Sequence, residues 1–268
     1  MLTIKYDHNK ALKELEYYKR MLGNLNGPSS NNYIVKYYQQ NVFFKEENEL
    51  FNNPQIRNKL IENRCKYLNK EKSQLTDEDL LLGFKRSGIY YGYSHFNPLI
   101  FKYFINRYNV TKCYDPCGGW GHRLLGAQNL SLYIYNDLSY NIYNNVKKMV
   151  NDFNLTNTIC FNEDAFFFNP QLEYDSIFTC PPYYNLEIYE CGKFETFEEY
   201  ELLIDNIFRC FYNNEKCKYF GLVIRNDLLK DKYKTSYFEC FEINNKKSKH
   251  LTKNIEHNNK EILYVYKK

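Results

Sequence analysis

From about residue 83 to the C-terminus, short apolar runs alternate with longer stretches in which apolar side chains recur at helical spacing. This alternation is typical of a parallel sheet with helices on both faces. We therefore predict an α/β fold, a doubly wound sheet of seven mainly parallel strands that ends in an antiparallel hairpin. The predicted strands contain Cys113-Tyr114, Leu132–Tyr135, Thr158–Phe161, Ser176–Thr179, Tyr219–Ile224, Tyr237–Ile243 and Glu261–Tyr266.

Helical periodicity also marks the segments between these strands and most of the N-terminal third of the chain. A boundary near residue 82 is predicted, with a helical region at 1–82 and the sheet at 83–268. The N-terminal region is either a recognition appendage or a helical lid on the main domain. Thr76 is the predicted N-cap of its last helix. The predicted helices are Lys10–Arg20, Phe43–Leu68, Leu80–Phe84, Arg123–Leu130, Ser139–Phe153 and Phe197–Asn213.

Composition narrows the functional classes. The 268 residues are enough for a full hydrophobic core. A net charge of +4 permits nucleic-acid binding without requiring it. The nine cysteines contain no CxxC pair, so we expect reduced thiols in a cytosol-like compartment and no metal site. No apolar run approaches the roughly eighteen residues that a bilayer span needs, so we expect neither secretion nor membrane anchoring, and a cytoplasmic location.

A glycine-rich turn follows the first predicted strand. Gly118, Gly119 and Gly121 come directly after Asp115-Pro116 and before a predicted helix. Glycines at such a turn let the backbone approach a ligand closely, because no Cβ atom occupies the space. A helix-entry turn without a ligand would contain the same glycines, so the turn alone does not establish a binding site.

Acidic residues follow the next two strands. Asp137 comes about twenty residues after Asp115, the separation at which doubly wound folds place a ribose-binding acid. Asp164 and Ala165 follow the third strand, where an Asp can accept a hydrogen bond from an adenine amine and Phe166 can cover the ring. Each acid alone is more often a loop residue or a helix cap. Their occurrence at successive strand ends favours a nucleoside-containing cofactor.

A rigid corner follows the fourth strand, with the sequence Thr179-Cys180-Pro181-Pro182-Tyr183. Two consecutive prolines fix the direction of the main chain, and an aromatic ring beside them can stack on a planar base. A simple turn or a proline-rich ligand motif is the plainer reading. The corner ends an apolar strand some sixty residues after the glycine turn, which favours a catalytic role.

The glycine turn and the proline corner together resemble motifs of the S-adenosylmethionine-dependent DNA methyltransferases that modify the amino groups of adenine (N6) or cytosine (N4). The resemblance covers about two thirds of the chain and implies a Rossmann-like methyltransferase fold, S-adenosylmethionine as cofactor and double-stranded DNA, with the target base flipped out, as partner. Cofactor contacts implied by the resemblance fall on Phe96, Asn97, Asp115, Cys117, Gly118, Gly119, Gly121, Asp137, Asp164, Ala165 and Thr179.

The resemblance assigns catalysis to Cys180, Pro181, Pro182 and Tyr183. In the family, the first position of this motif and the carbonyl of the following proline accept hydrogen bonds from the target amine, and the aromatic residue stacks on the base. The family has Asp, Asn, Ser or Thr at the first position, whereas this chain has Cys180, a weak acceptor. Because Cys resembles Ser most closely, the motif leans slightly towards cytosine N4. Tyr184 is a candidate for a second stacking face.

Two other functions stay open at this point. RNA amino-methylation uses a similar corner, and a catalytically weakened methylase fold that only binds nucleic acid would tolerate Cys180. A covalent mechanism at a ring carbon is disfavoured, because that chemistry uses a Pro-Cys nucleophile without a Pro-Pro-aromatic corner. Sequence recognition is expected from the N-terminal helices, the loop Asn185–Glu195 or the basic segment Asn244–Lys253, which is also explained as a solvated hairpin loop.

Overall fold

The computed structural model describes residues 6–25, 33–40, 52–76, 79–80, 83–84, 96–184, 194–243 and 260–268. The chain forms two compact units. The larger comprises residues 7–38 and 96–268, and the smaller comprises residues 1–6 and 39–95. The first two helices therefore belong to the same unit as the sheet, whereas the sequence-based division at residue 82 grouped them with the rest of the N-terminal region.

A single sheet forms the centre of the larger unit, and its order is β3-β2-β1-β4-β5-β7-β6. Neighbours from β3 to β5 are parallel, and β7 runs antiparallel to both β5 and β6. The predicted α/β fold with a C-terminal antiparallel hairpin is thus confirmed. In the described part of the chain the strands are β1 (Lys112–Asp115), β2 (Leu132–Asn136), β3 (Thr158–Phe161), β4 (Ser176–Thr179), β5 (Tyr219–Arg225), β6 (Glu239–Glu242) and β7 (Glu261–Lys267).

Most predicted helices are present with boundaries close to those expected. The helix predicted at 123–130 is divided, because α5 ends at Gly126 and a 3-10 turn continues to Asn129. None of the described helices combines the length and apolar character needed to cross a bilayer. The helices are α1 (His8–Arg20), α2 (Tyr33–Tyr38), α3 (Pro54–Leu68), α4 (Pro98–Tyr108), α5 (His122–Gly126), α6 (Tyr140–Asp152), α7 (Phe197–Asn213) and α8 (Asp231–Lys234).

Polar contacts attach α1 and α2 to the body of the larger unit. The Glu14 carboxylate accepts hydrogen bonds from the backbone N–H groups of Tyr33 and Ile34, at 3.0 and 2.7 Å, and so caps the start of α2. The buried Lys102 ammonium on α4 donates to carbonyls in the last turn of α1. These contacts satisfy backbone groups that helix ends leave without partners.

The smaller unit contains α3 and a small core formed by Leu60, Leu80 and Phe84. Thr76 is an N-cap, as predicted, because its hydroxyl accepts from the Asp79 N–H at 3.1 Å. Several predicted segments lie wholly or partly outside the described residues: the first part of the helix predicted at 43–68, the loop at 185–193 and the basic segment at 244–253.

Candidate active site

A cavity of about 520 Å³ lies where the chain leaves the carboxyl ends of β1, β2, β3 and β4. These four strands are neighbours in the sheet, so the loops that follow them meet at one edge. Ligands of doubly wound folds bind at this edge, and the volume is in the range of small-molecule pockets. The described residues that line the cavity are Pro116, Cys117, Gly119, Asp137, Leu138, Ile142, Asp164, Ala165, Phe166, Phe167, Cys180, Pro182, Phe194, Glu199, Leu202 and Leu203.

The three glycines of the turn have different environments. Gly119 has φ +58° and lines the cavity, and a Cβ atom there would meet no atom within 4 Å. Gly121 has φ +88°, and a Cβ atom there would lie 2.6 Å from the Met149 side chain on α6. A Cβ atom on Gly118 would overlap the Tyr135 ring. Of the three, only Gly119 leaves open space for a ligand, whereas a side chain on Gly118 would clash with the Tyr135 ring and one on Gly121 would displace the end of the Met149 side chain.

Asp137 faces the cavity and is held by the backbone. Its carboxylate accepts hydrogen bonds from the N–H groups of Gly119 at 2.8 Å and Ser139 at 2.9 Å. Burial raises the pKa of this carboxyl to about 6, although both N–H groups act in the opposite direction. The carboxylate retains acceptor positions beyond these two bonds, because each oxygen carries two lone pairs. A hydroxyl-bearing ligand is the natural partner for them.

Asp115, at the end of β1, is fully buried and does not line the cavity. Arg123 binds it through Nε at 2.5 Å and through a second guanidinium nitrogen at 3.2 Å, and the Tyr133 hydroxyl donates to it at 2.7 Å. Although burial opposes the charged form of Arg123, Asp115 raises the pKa of the guanidinium above its ordinary value. In this structure Asp115 therefore braces the glycine turn instead of presenting the cofactor contact that the sequence suggested.

The same arginine holds the loop that follows β1. Its guanidinium donates to the Cys117 carbonyl and lies 5.0 Å from the centre of the Phe96 ring. Phe96 packs edge-on against Phe178, and the Asn97 side chain caps α4 by accepting from the Leu99 N–H at 3.1 Å. Neither Phe96 nor Asn97 is among the described residues that line the cavity. Their contacts are those of a packing residue and a helix cap.

Asn136, the buried last residue of β2, connects two of the cavity loops. Its amide nitrogen donates to the carbonyls of Pro116 and Glu163, both at 3.0 Å, and its amide oxygen accepts from the Glu163 N–H at 3.0 Å. Asp164 is therefore held at a fixed place beside the turn. Its own carboxylate accepts from the Phe166 N–H at 2.9 Å, and Asp164, Ala165 and Phe166 all line the cavity.

The proline corner contributes Cys180 and Pro182 to the cavity wall, whereas Pro181 is buried behind it. Tyr183 is only 8% exposed and packs in the main core. Its hydroxyl donates to Glu261 at 2.7 Å and accepts from the Cys180 thiol at 3.9 Å. The structure thus does not present the Tyr183 ring as a stacking surface on the cavity. Tyr184 packs edge-on against Phe197 at 5.3 Å.

Two further predicted contacts lie at the ends of β1 and β4. Thr179 is fully buried and does not line the cavity. Cys117 itself lines the cavity, and burial raises the pKa of its thiol well above the ordinary value. The described cysteines are all free thiols. Across the described residues no group of His, Cys, Asp and Glu is arranged to hold a metal ion.

The charge of the cavity restricts what it can bind. Its charged lining residues are Asp137, Asp164 and Glu199, and no Lys or Arg is among the described residues that line it. A polyphosphate ligand would meet only like charge there. A ligand with excess positive charge and an apolar ring suits the three carboxylates and the walls formed by Phe166, Phe194 and Leu203.

Three residues important to this arrangement escaped the sequence analysis. Arg123 was read only as the start of a helix, although a basic residue on the apolar helix after Asp115 indicates a buried ion pair. Asn136 stands directly before Asp137, and the acid draws attention in the sequence while the amide beside it carries no signal of its own. Glu261 is 78 positions from Tyr183, and no local pattern reveals their contact.

No protein-family model matches the chain, and no curated protein matches it. Three of the solved structures similar to it are methyltransferase 10 domain containing protein from human, with 13% identity, TrmN from Thermus thermophilus, with 15%, and the putative methyltransferase YhhF from Escherichia coli, with 13%. Their TM-scores are 0.41, 0.46 and 0.41.

The alignments cover 59%, 65% and 63% of this chain and, in the same order, 71%, 49% and 86% of those structures. The chain thus spans about half the length of the Thermus thermophilus structure. On the order and direction of its own strands, the chain has a Rossmann-like α/β fold with a C-terminal antiparallel hairpin.

Proposed function

We propose that this protein transfers a methyl group from S-adenosylmethionine to the exocyclic amino group of a base in nucleic acid. One observation carries the proposal: Asp137, Asp164, Cys180 and Pro182 come from three separate loops and line the same cavity. Their positions at strand ends assign Asp137 to the cofactor ribose and Asp164 to the cofactor adenine, and the motif resemblance assigns Cys180 and Pro182 to the methylation corner. Their meeting in one cavity is what a shared active site requires.

The cavity fits the proposed cofactor in charge and shape. S-adenosylmethionine supplies an electrophilic methyl group on a positively charged sulfur, and it also carries an ammonium group. The three cavity carboxylates suit these positive charges. Asp137 would accept the ribose hydroxyls and Asp164 the adenine amine, while Phe166 covers the adenine ring. Gly119 leaves the space in which the ligand approaches the backbone.

The proline corner would orient the target amine. An aromatic exocyclic amine is a poor nucleophile because its lone pair is delocalised into the ring, and hydrogen-bond acceptors beside the nitrogen counteract this. We assign this role to the Cys180 sulfur and the Pro181 carbonyl, with the chain direction fixed by the two prolines. Because Tyr183 is buried, the apolar surface for the base is assigned to Pro182 and Phe194, which line the cavity.

The substrate that we propose is double-stranded DNA with the target base flipped into the cavity, and cytosine N4 is favoured over adenine N6 by the likeness of Cys180 to Ser. The decisive experiment offers the full chain methyl-labelled S-adenosylmethionine together with duplex DNA of mixed sequence, single-stranded DNA or structured RNA. Digestion to nucleosides then identifies the methylated base by mass spectrometry. We expect label on an exocyclic nitrogen, with duplex DNA as the preferred substrate in competition.

Cofactor binding is measured in parallel, by equilibrium dialysis. Label on structured RNA in preference to DNA would replace the proposed substrate and retain the reaction. The cofactor could bind while no nucleic acid becomes labelled, and DNA affinity could stay unchanged after Cys180→Ser. That outcome would identify a protein that binds nucleic acid without methylating it. Glu198→Gln is a control that should keep cofactor binding and methylation, because Glu198 is an exposed acid beside Glu199 and does not line the cavity.

A further inference from the structure

A chain of hydrogen bonds leads from the cavity wall into the hairpin. The Cys180 thiol donates to the Tyr183 hydroxyl at 3.9 Å, and that hydroxyl donates to Glu261 Oε1 at 2.7 Å. Cys180 lines the cavity, whereas Tyr183 is almost fully buried and Glu261 is the first residue of β7. The chain thus connects a cavity thiol to a carboxylate through one buried phenol.

This arrangement has the elements of an activated nucleophile. Nucleophilic side chains are activated when a base within hydrogen-bond reach takes their proton, and here the base acts through one intermediate hydroxyl. Burial, the neighbouring thiol and the carboxylate together keep the pKa of Tyr183 well above its ordinary value, so Tyr183 stays protonated and passes protons on. Because the thiol proton points towards Tyr183, the sulfur lone pairs are directed away from it.

We propose that Cys180 is a methyl acceptor in its own right and that the protein methylates this thiol when S-adenosylmethionine is bound without a nucleic-acid substrate. The inference rests on the proposed function, because it needs that cofactor in the cavity. The corner that would orient a target amine beside the methyl donor carries a thiol, and thiolate sulfur is an intrinsically strong nucleophile. An amine substrate in the site would separate the thiol from the methyl group.

A bond forms between Cys180 Sγ and the methyl carbon, and the bond between that carbon and the positively charged sulfur breaks. Its electron pair stays on the departing sulfur, which becomes a neutral thioether. The thiol proton passes to the Tyr183 oxygen as the Tyr183 proton passes to Glu261. The product, a methyl thioether at Cys180, no longer donates to Tyr183 and fills the space of the target amine.

The test uses the full chain and S-adenosylmethionine without nucleic acid. Intact mass is followed over time, and the modified residue is located by peptide mapping, with equilibrium dialysis of the cofactor on the same samples. We expect one added methyl group at Cys180 and none in Cys180→Ser. Tyr183→Phe and Glu261→Gln should slow the modification by roughly a hundredfold or more, the usual loss when a general base is removed.

Matched cysteines provide the controls. Cys160 lies in β3 and Cys240 is exposed in β6, and neither lines the cavity. Cys160→Ser should methylate Cys180 at the unaltered rate. Cofactor binding without a methyl group on Cys180, equal modification of Cys240, or an unaltered rate in Glu261→Gln would each overturn the inference while leaving the proposed function intact. Failure of the cofactor to bind would instead overturn the proposed function, and the inference with it.

Discussion

Two aspartates at the carboxyl ends of neighbouring strands look alike in the sequence and have opposite environments in the molecule. Asp115 is fully buried and has Arg123 as its counter-charge, whereas Asp137 faces the cavity and is held by two backbone N–H groups. The Asp115 carboxylate accepts three hydrogen bonds from buried side chains. The Asp137 carboxylate keeps acceptor positions beside the cavity.

The difference lies in the partner of each acid: a side-chain cation neutralises Asp115, whereas only backbone N–H groups bind Asp137. Arg123 neutralises the charge of Asp115 and also donates to the Cys117 carbonyl. The ion pair therefore fixes the conformation of the turn. Because backbone N–H groups carry only partial charges, the two that bind Asp137 do not neutralise its carboxylate. Both aspartates stand at the carboxyl end of a strand, so it is their hydrogen-bond partners that distinguish them.

Removing Asp115 should have the largest effect. Asp115→Ala leaves the buried Arg123 guanidinium without its carboxylate, and breaking one side of a buried pair costs about 3 to 5 kcal/mol of the free energy of unfolding. The measurement is urea denaturation followed by circular dichroism. In the double variant Asp115→Leu, Arg123→Met the uncompensated charge is gone, so most of the loss should be recovered. A stable Asp115→Ala with weakened cofactor binding would contradict the bracing role.

Asp137→Asn is expected to act on binding instead of stability. The amide can still accept one backbone hydrogen bond, but the negative charge offered to the ligand is lost. Hydrogen bonds to charged groups contribute about 1.5 to 3 kcal/mol, so affinity for S-adenosylmethionine should fall roughly ten- to hundredfold. Titration calorimetry measures it, with Glu198→Gln as the control that keeps the original affinity. Unchanged affinity in Asp137→Asn would remove Asp137 from the proposed site.

The pKa of Asp137, about 6, predicts that cofactor affinity and protein stability change in opposite directions with pH. Cofactor affinity should rise as the pH increases through 6, because the ionised carboxylate binds the ligand, and it should be roughly tenfold weaker at about pH 5. Stability should change the opposite way. The folded state binds more protons than the unfolded state between about pH 4 and 6, so the contribution of Asp137 to stability is lost as the pH rises through this window. Both trends should vanish in Asp137→Asn.

The sheet was predictable because its signals are local. The apolar run at Ser176–Thr179 coincides with β4, which is buried at all four positions, as is typical of a parallel strand covered on both faces. The run at Thr158–Phe161 coincides with β3, a partly buried strand at the edge of the sheet. The grouping of α1 and α2 with the sheet was not predictable. It depends on contacts between distant residues, such as the hydrogen bond from Tyr38 to Asp152.

The sequence locates cavity residues wherever the signal is local to a strand end. Asp137, Asp164 and Cys180 stand out in the sequence for this reason, and all three line the cavity. A role that depends on a partner elsewhere in the chain leaves no such signal. The sequence reveals neither the ion pair that keeps Asp115 away from the cavity nor the hydrogen bond from Tyr183 to Glu261, which joins residues far apart in the chain.

Gly119 and Gly121 belong to the same turn and, like the two aspartates, differ in their surroundings. Both have positive φ, which costs an alanine about 1 to 2 kcal/mol, so this cost is common to both variants. Gly121→Ala would also place its methyl group 2.6 Å from Met149, whereas the methyl group of Gly119→Ala meets nothing within 4 Å. We therefore expect Gly121→Ala to be the less stable variant, by about 1 kcal/mol.

For cofactor affinity we expect the opposite order, with Gly119→Ala the more affected variant. The methyl group of Gly119→Ala stands on the cavity wall, in the space through which a ligand would approach the backbone, whereas that of Gly121→Ala points into the packing against α6. Affinity for S-adenosylmethionine should therefore fall in Gly119→Ala and change little in folded Gly121→Ala, as measured by calorimetry at a temperature where both are native. Equal losses in the two variants would mean that the conformation of the turn, and not its open face at Gly119, determines binding.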